Sequence, residues 1–304
     1  MQQSPNIVLH LIEMAYGDRP FEVTSASNPL DIQVRSSHEL FHKENLLNLA
    51  VSRFPADWRY GAIIDADFHF TRHDWALETI HQLQHYDWVQ LFSQYVNLDG
   101  EIVPGVGHRQ IGNPSNGFVY GFHKLGGRIP PEWCGGGAEP TSGGSNQPPW
   151  LGAPGGAWGF RRSAWSAVGG LLDRCILGSG DWYGAFGLAG YVIDHEVERT
   201  LGKKSTQYQP AYLKYIRSWQ ERARDAFHGN IGYVDCFATH HFHGPMSRRG
   251  YSDRDNILIQ NQFDPMIDVH PDWQGVLQLS SGKPRLRDDI RRYFLSRVED
   301  LPNS

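Results

Sequence analysis

Cysteine is scarce, with three in 304 residues, at Cys134, Cys175 and Cys236. Their number is odd and no C-x-x-C occurs, which argues against a disulfide framework or a cysteine-built zinc site. Three unpaired thiols are expected. Long apolar runs are absent too, and none approaches the roughly 20 residues a membrane-spanning helix needs. The opening residues, Met1-Gln2-Gln3-Ser4-Pro5, lack the basic start and apolar stretch of a secretory signal. A soluble, cytoplasmic protein is expected, in its own cell or, if phage-encoded, in the host. There is no excess of positive charge either, and a net charge of −5 argues against a bulk nucleic-acid binder.

What is present is glycine and tryptophan, 33 and 10 residues. Loops that bring backbone close to a ligand, and aromatic walls for a sugar or base, account for both. The length suits one large α/β domain or two small ones. Cations gather late in the chain: Arg199 to Asn256 holds ten Lys/Arg against five Asp/Glu, and Lys283 to Arg297 holds six against two.

One stretch organises the rest. Tyr60 to Ile64 is a short apolar run that predicts a buried strand, and Asp65 and Asp67 arrive where it ends. Carboxylates do not sit inside an apolar strand unpaired, so the strand emerges at an edge. At the carboxyl end of a strand in an open α/β sheet, two such acids suit a hard divalent cation that phosphate oxygens also hold.

Around this stretch the elements follow in order. Asn6 to Met14 predicts a first buried strand, followed by a turn in which Tyr16 can stack on a base and Arg19 can reach a phosphate. Asp31 to Arg35 predicts a second strand. Ser37 to Phe54 predicts an amphipathic helix with Lys43 and Glu44 on its solvated face. Trp75 to His85 predicts a helix capped by Thr71 or Asp74, and Trp88 to Tyr95 a strand, completing a doubly wound alternation. From Asn97 to Pro154 periodicity vanishes, and a mobile flap is expected. Gly155 and Gly156 lead to an aromatic strand with Trp158, and Ser163 caps a short helix. Gly178-Ser179-Gly180-Asp181 sets an acid at a helix start, beside Trp182. Tyr208 to Phe227 predicts a helix and Tyr233 to Thr239 a late strand. That strand runs into His240-His241-Phe242-His243, and imidazole is a good ligand for Mn²⁺-like ions. A basic loop with Arg248, Arg249 and Arg254 follows, then helices from Arg254 and Pro284.

This ordered set, from about residue 6 to 260, resembles the GT-A glycosyltransferases, family-2-like members with an Asp-x-Asp motif. The resemblance implies a Rossmann-like mixed sheet flanked by helices, with long Gly-rich loops. It implies a glycosyltransferase domain over 1–265, with a donor half about 1–95 and an acceptor half about 96–265, and a basic helical extension over 266–304. A nucleotide-diphosphate sugar, in the first instance a UDP-sugar, is the implied donor, with Mn²⁺ or Mg²⁺ as cofactor. The resemblance assigns the metal to Asp65, Asp67 and His243, with Asp67 the more direct ligand and His240 or His241 able to replace His243. Tyr16, Arg19, Ala66, Gly156, Trp158, Arg248, Arg249 and Arg254 join Asp65 and Asp67 around the donor, and Asp181 is the implied general base. Members with this layout often carry two adjacent acids, whereas here Trp182 follows Asp181.

The acceptor stays open between a glycan, a lipid-linked sugar and a hydroxymethylated base in DNA, the last because the layout also looks like base-J and phage glucosyltransferases. A metal-dependent phosphoester hydrolase and a non-catalytic sugar- or nucleotide-binding protein are the competing classes.

Overall fold

The computed structural model describes residues 7–103, 107–129, 151–200, 204–242, 244, 246–250 and 253–297. Among these the chain is a mixed α/β protein. No helix among the described residues is long and apolar enough to cross a membrane.

Strands β1 (Leu11–Tyr16) and β2 (Asp31–Ser36) run parallel to each other. A buried strand from Asn6 is not what forms. Ile7, Val8 and Leu9 are exposed, and within β1 only Ala15 is buried. β1 pairs with β2 alone among the described residues, so its apolar side chains meet fewer neighbours than in a central strand. The far edge of β2 is closed by a side chain: the Arg35 N–H donates to Gln274 Oε1, and Gln274 Nε2 donates to the Arg35 carbonyl, both at 3.1 Å. That amide imitates one rung of a ladder and satisfies an edge that would otherwise be open.

After helix α1 (Lys43–Ser52) the chain builds two four-stranded sheets. The first is ordered β3 (Tyr60–Ile64), β8 (Ala157–Arg161), β5 (Trp88–Gln90), β9 (Ile231–Tyr233). The second is ordered β4 (Phe68–Phe70), β10 (Phe237–His240), β6 (Gln94–Val103), β7 (Gly107–Asn116). Three times the chain passes from the first sheet into the second: β3 to β4, β5 to β6 and β9 to β10. Asp65-Ala66-Asp67 is the first of these crossings. β10 runs antiparallel beside β4, with His240 opposite Phe68, so the late strand ends next to the Asp-Ala-Asp turn.

The doubly wound expectation needs correcting. Among the described residues three ladders are parallel and five antiparallel. The expected flap from Asn97 to Pro154 also contains regular structure, the β6–β7 hairpin and helix α3 (Phe118–Lys124), while 130–150 lies outside the described residues. The hairpin shifts register between Tyr95 and Asn97 and again between Leu98 and Ile102. Such irregularity destroys the strict in–out alternation by which a strand is recognised.

Helices α2 (Trp75–Gln82), α4 (Arg162–Val168), α5 (Gly180–Leu188) and α7 (Pro210–Phe227) flank the sheets, with the short α6 (His195–Thr200) between α5 and α7 in the chain. α4 begins after Arg161 rather than Ser163, and Asp74, the residue before α2, holds Arg72 instead of capping the helix. In α7, Pro210 opens the first turn, and Tyr212, Ile216, Trp219, Ala223 and Phe227 repeat at three- and four-residue spacing and are buried. α5 lies against α7 at Gly187, where a Cβ would stand 2.9 Å from Trp219 and from Gln220. Hairpin β11 (Val269–Pro271) and β12 (Leu277–Leu279) seats on α1 through Asn45, which accepts from the Leu277 N–H at 3.0 Å and donates to the Gly275 carbonyl at 3.1 Å. Helix α9 (Pro284–Arg297) follows and buries Leu286 and Ile290. Four of its five arginines form ion pairs: Arg285 and Arg292 with Asp289, Arg287 with Asp288, and Arg291 with Glu39.

Candidate active site at the Asp65–Asp67 turn

The carboxyl end of β3 is tied down by backbone. The Asp65 N–H donates to the Gly156 carbonyl at 2.8 Å, and the Phe68 N–H donates to the Asp65 carbonyl at 3.1 Å. Gly156 has φ +92°, and a Cβ there would stand 2.6 Å from the Phe68 ring. The glycine therefore serves the packing of the Asp-Ala-Asp turn, in place of the expected backbone approach to a ligand. Ala66 occupies the exposed middle of that turn.

The two acids diverge. Asp65 Oδ2 accepts from Lys43 Nζ at 2.5 Å. Lys43 and Glu44 open α1, and both line the cleft with Asp65, Asp181, Gly155 and Gly156. The solvated face expected for them is overturned: Glu44 is 4% exposed. Burial alone would depress the Lys43 ammonium, but Asp65, Asp181 and Glu44 outweigh it and hold its pKa above the ordinary lysine value. Burial pushes Asp65 up, with Lys43 pulling it back. Burial also pushes Glu44 up to about 8, again opposed by Lys43, so this carboxyl is neutral at pH 7. Helix starts that follow a parallel strand face the carboxyl edge of the sheet. That rule, applied to the first turn of α1, is the signal by which Lys43 and Glu44 were findable.

Asp67 has other partners. Its Oδ2 lies 3.3 Å from His240 Nε2, its carbonyl accepts from the His241 N–H at 2.8 Å, and His240 Nδ1 meets Asn97 Oδ1 at 2.8 Å. Residues some 170 positions apart thus share one strand end (Asp67 and His240). Two ligands bonded at about 2.1 Å to one octahedral ion stand about 3 Å apart, so this pair fits a shared divalent cation. Asp65 does not fit as a third ligand while its oxygen holds Lys43. His243 lies outside the described residues, and among those residues no three His, Cys, Asp or Glu side chains form a complete metal-holding group. Two protein ligands still suffice for Mg²⁺- or Mn²⁺-like ions that keep waters and take substrate phosphates.

Asp181 opens α5, and its Oδ1 accepts from the Trp182 N–H at 2.8 Å. The loop before it is held in an uncommon conformation, with Gly178 at φ +93° and Ser179, a non-glycine, at φ +73°. Arg254, at the start of helix α8 (Arg254–Gln260), donates to Ser179 Oγ at 2.5 Å and closes on Gly178, where a Cβ would stand 2.9 Å from its guanidinium. Arg254 is therefore a clamp on the loop that presents Asp181. Gly155 brings backbone against that acid, its missing Cβ being 2.8 Å from Asp181 Oδ2.

The other expected donor residues are dispersed. Trp158 is buried, donates to the Pro154 carbonyl at 2.8 Å and lines the cleft floor, so it offers no open face for stacking. Tyr16 ends β1, and Arg19 follows the turn after it. The Tyr16 hydroxyl reaches the Leu40 carbonyl at 3.4 Å, and Arg19 is exposed. Neither makes a hydrogen bond or ion pair to the Asp65 cluster among the described residues. Arg248 is exposed, and the Arg249 carbonyl accepts from the Tyr293 hydroxyl at 2.8 Å, docking that turn on α9. Of the expected thiols, Cys175 and Cys236 are free and buried, and Cys134 lies outside the described residues.

The fold and this cleft define a mixed α/β protein with a carboxylate-rich site at a strand end. Comparison of the chain with protein-family models, curated proteins and solved structures gives no match.

Proposed function

We propose that the protein is a metal-dependent glycosyltransferase of GT-A type, taking its sugar from a nucleotide diphosphate. One observation carries this: Asp67 and His240 converge at a strand end, beside a cleft that also holds Asp181. Asp67 and His240 would hold a divalent ion, which would supply charge neutralisation for a departing diphosphate. Asp181 is the carboxylate placed to take the acceptor hydroxyl proton as that oxygen bonds the anomeric carbon. Arg254 fixes the loop that carries Asp181, and Asp65 holds the Lys43 ammonium at the cleft. Arg248, exposed on the turn before α8, is available to the phosphates.

A glycan or lipid-linked sugar is favoured as acceptor over a modified base in DNA. The observation is that four of the five arginines of the basic helix α9, Arg285, Arg287, Arg291 and Arg292, are engaged in intramolecular ion pairs. Salt-dependent retention on DNA would reverse that preference. A thermal-shift panel of nucleotide sugars with and without Mn²⁺ tests the whole proposal. A donor that raises Tm only with the metal supports it. Equal turnover in EDTA, or no stabilisation by any nucleotide sugar, refutes it.

A further inference from the structure

A second pocket opens on the surface at the other end of β3 from the Asp65–Asp67 turn. Tyr60 lines it, and the strand from Tyr60 to Asp65 runs about 16 Å. The pocket and the cleft share no lining residue. Its volume of about 510 Å³ falls in the range of small-ligand sites. Arg59, Arg161 and Arg162 all line it, with Asp57 as the one carboxylate of the described lining.

Strand pairing brings these arginines together. Tyr60 is the ladder partner of Arg161, and one step further the Arg162 N–H donates to the Arg59 carbonyl at 2.9 Å. Arg59 and Arg162 thus stand opposite one another where β3 and β8 meet their ends. Like charges so placed repel. Other surface arginines of this chain find carboxylates, as Arg72 does in Asp74, Arg217 in Glu221 and Arg224 in Asp225. Arg59, Arg161 and Arg162 form no ion pair among the described residues.

Two of the three guanidiniums are nevertheless held in place. Arg161 Nε donates to the Leu83 carbonyl at 2.5 Å, and Arg162 Nη1 donates to the Ala56 carbonyl. Their other N–H groups, and all those of the Arg59 side chain, have no acceptor among the described residues. The Tyr60 hydroxyl accepts from Gln84 Nε2 at 2.9 Å, which leaves its own proton to donate. Positioned donors with unused N–H and O–H groups suit an oxyanion. Charge selects which one. Three guanidiniums and one carboxylate leave two positive charges in the pocket. A phosphate dianion, with about two negative charges above its second pKa of about 6, matches them. A phosphodiester carries only one.

We propose that this pocket binds a phosphate dianion, as the free ion or as the phosphomonoester of a small molecule, at a site separate from the cleft. The proposal stands apart from glycosyl transfer and needs no nucleotide sugar.

The test is calorimetric titration of the full chain, in EDTA at about pH 7.5, with inorganic phosphate, glucose 6-phosphate and dimethyl phosphate. The parent should bind one equivalent of a dianion at least about tenfold more tightly than the diester, and about tenfold more weakly near pH 5, where the second proton is on. Tighter binding of glucose 6-phosphate assigns the phosphomonoester, and equal or tighter binding of inorganic phosphate assigns the free ion. Arg59→Ala removes a side chain with no hydrogen bond or ion pair of its own. It should keep the parent Tm and weaken binding by about tenfold or more. Arg217→Ala, an equal change of charge on α7, should leave binding within about twofold. No binding by the folded parent, equal affinity for dimethyl phosphate, or binding that Arg59→Ala leaves unchanged would overturn the site.

Discussion

The two ends of the Asp65-Ala66-Asp67 turn differ although one residue separates them. At the Asp65 end the carboxylate is committed to an ammonium, inside a lining that also holds the neutral Glu44 and Asp181. At the Asp67 end the carboxylate meets an imidazole from a strand far along the chain. A short acidic motif expected to act as a single metal clamp thus has two kinds of partner: one acid builds the cleft, and the other, in the function proposed above, would share the cation with His240. The difference follows from what each crossing brings alongside. α1 delivers Lys43 to the first acid, and β10 delivers His240 to the second.

The comparison can be broken most forcefully at Asp67. Asp67→Ala should reduce glycosyl transfer by about a hundredfold or more, with folding intact by circular dichroism. Asp65→Ala should act mainly on stability, because it leaves Lys43 enclosed without its partner. A loss of about 2 kcal/mol in denaturant unfolding is expected, below the value for a fully buried pair since both side chains keep some exposure. If the two variants behaved alike in both assays, the division would be wrong.

Glu44 sharpens the contrast through pH. Its carboxyl ionises near 4.5 in an unfolded chain and near 8 in the folded one, so the folded state binds the extra proton between those values. Its contribution to stability is therefore complete below about pH 4.5 and is lost as pH rises through about 8. Glu44→Gln removes that slope. The variant should melt about 5 °C above the parent at pH 9, with the gap shrinking towards acid. Coincident Tm–pH curves would show that Glu44 is already ionised in the fold. The smallest effect is expected away from both ends. Gln274→Ala opens the edge of β2 and should cost about 1 kcal/mol in unfolding without changing transfer.

Much of this was legible in the sequence where a periodic pattern met its own punctuation. α7 was expected over Tyr208 to Phe227; it starts two residues later, at Pro210, and ends at Phe227 as expected, before His228 at φ +50° and Gly229 at φ +76°. The family resemblance placed Asp65 and Asp67 with the histidine segment, His243 first and His240 as its replacement; Asp67 and His240 do meet, while His243 lies outside the described residues. The β6–β7 hairpin was hidden by its bulges, and the exposure of β1 by the fact that an apolar run does not state how many neighbours it will have. Lys43 and Glu44 were misread because charge on a helix normally means solvent. The pairing of the half-buried Lys43 depends on Asp65, and the burial of Glu44 on the approach of Gly180, where a Cβ would stand 2.9 Å from Glu44 Oε1. No local window contains those partners.

The most direct test is Mn²⁺ binding followed by calorimetry or electron paramagnetic resonance, in the presence of UDP, for the parent, Asp65→Asn and Asp67→Asn. The division of labour predicts one Mn²⁺ per chain in the parent and in Asp65→Asn, and its loss in Asp67→Asn. Loss in Asp65→Asn as complete as in Asp67→Asn, or no Mn²⁺ on the parent at all, would contradict it.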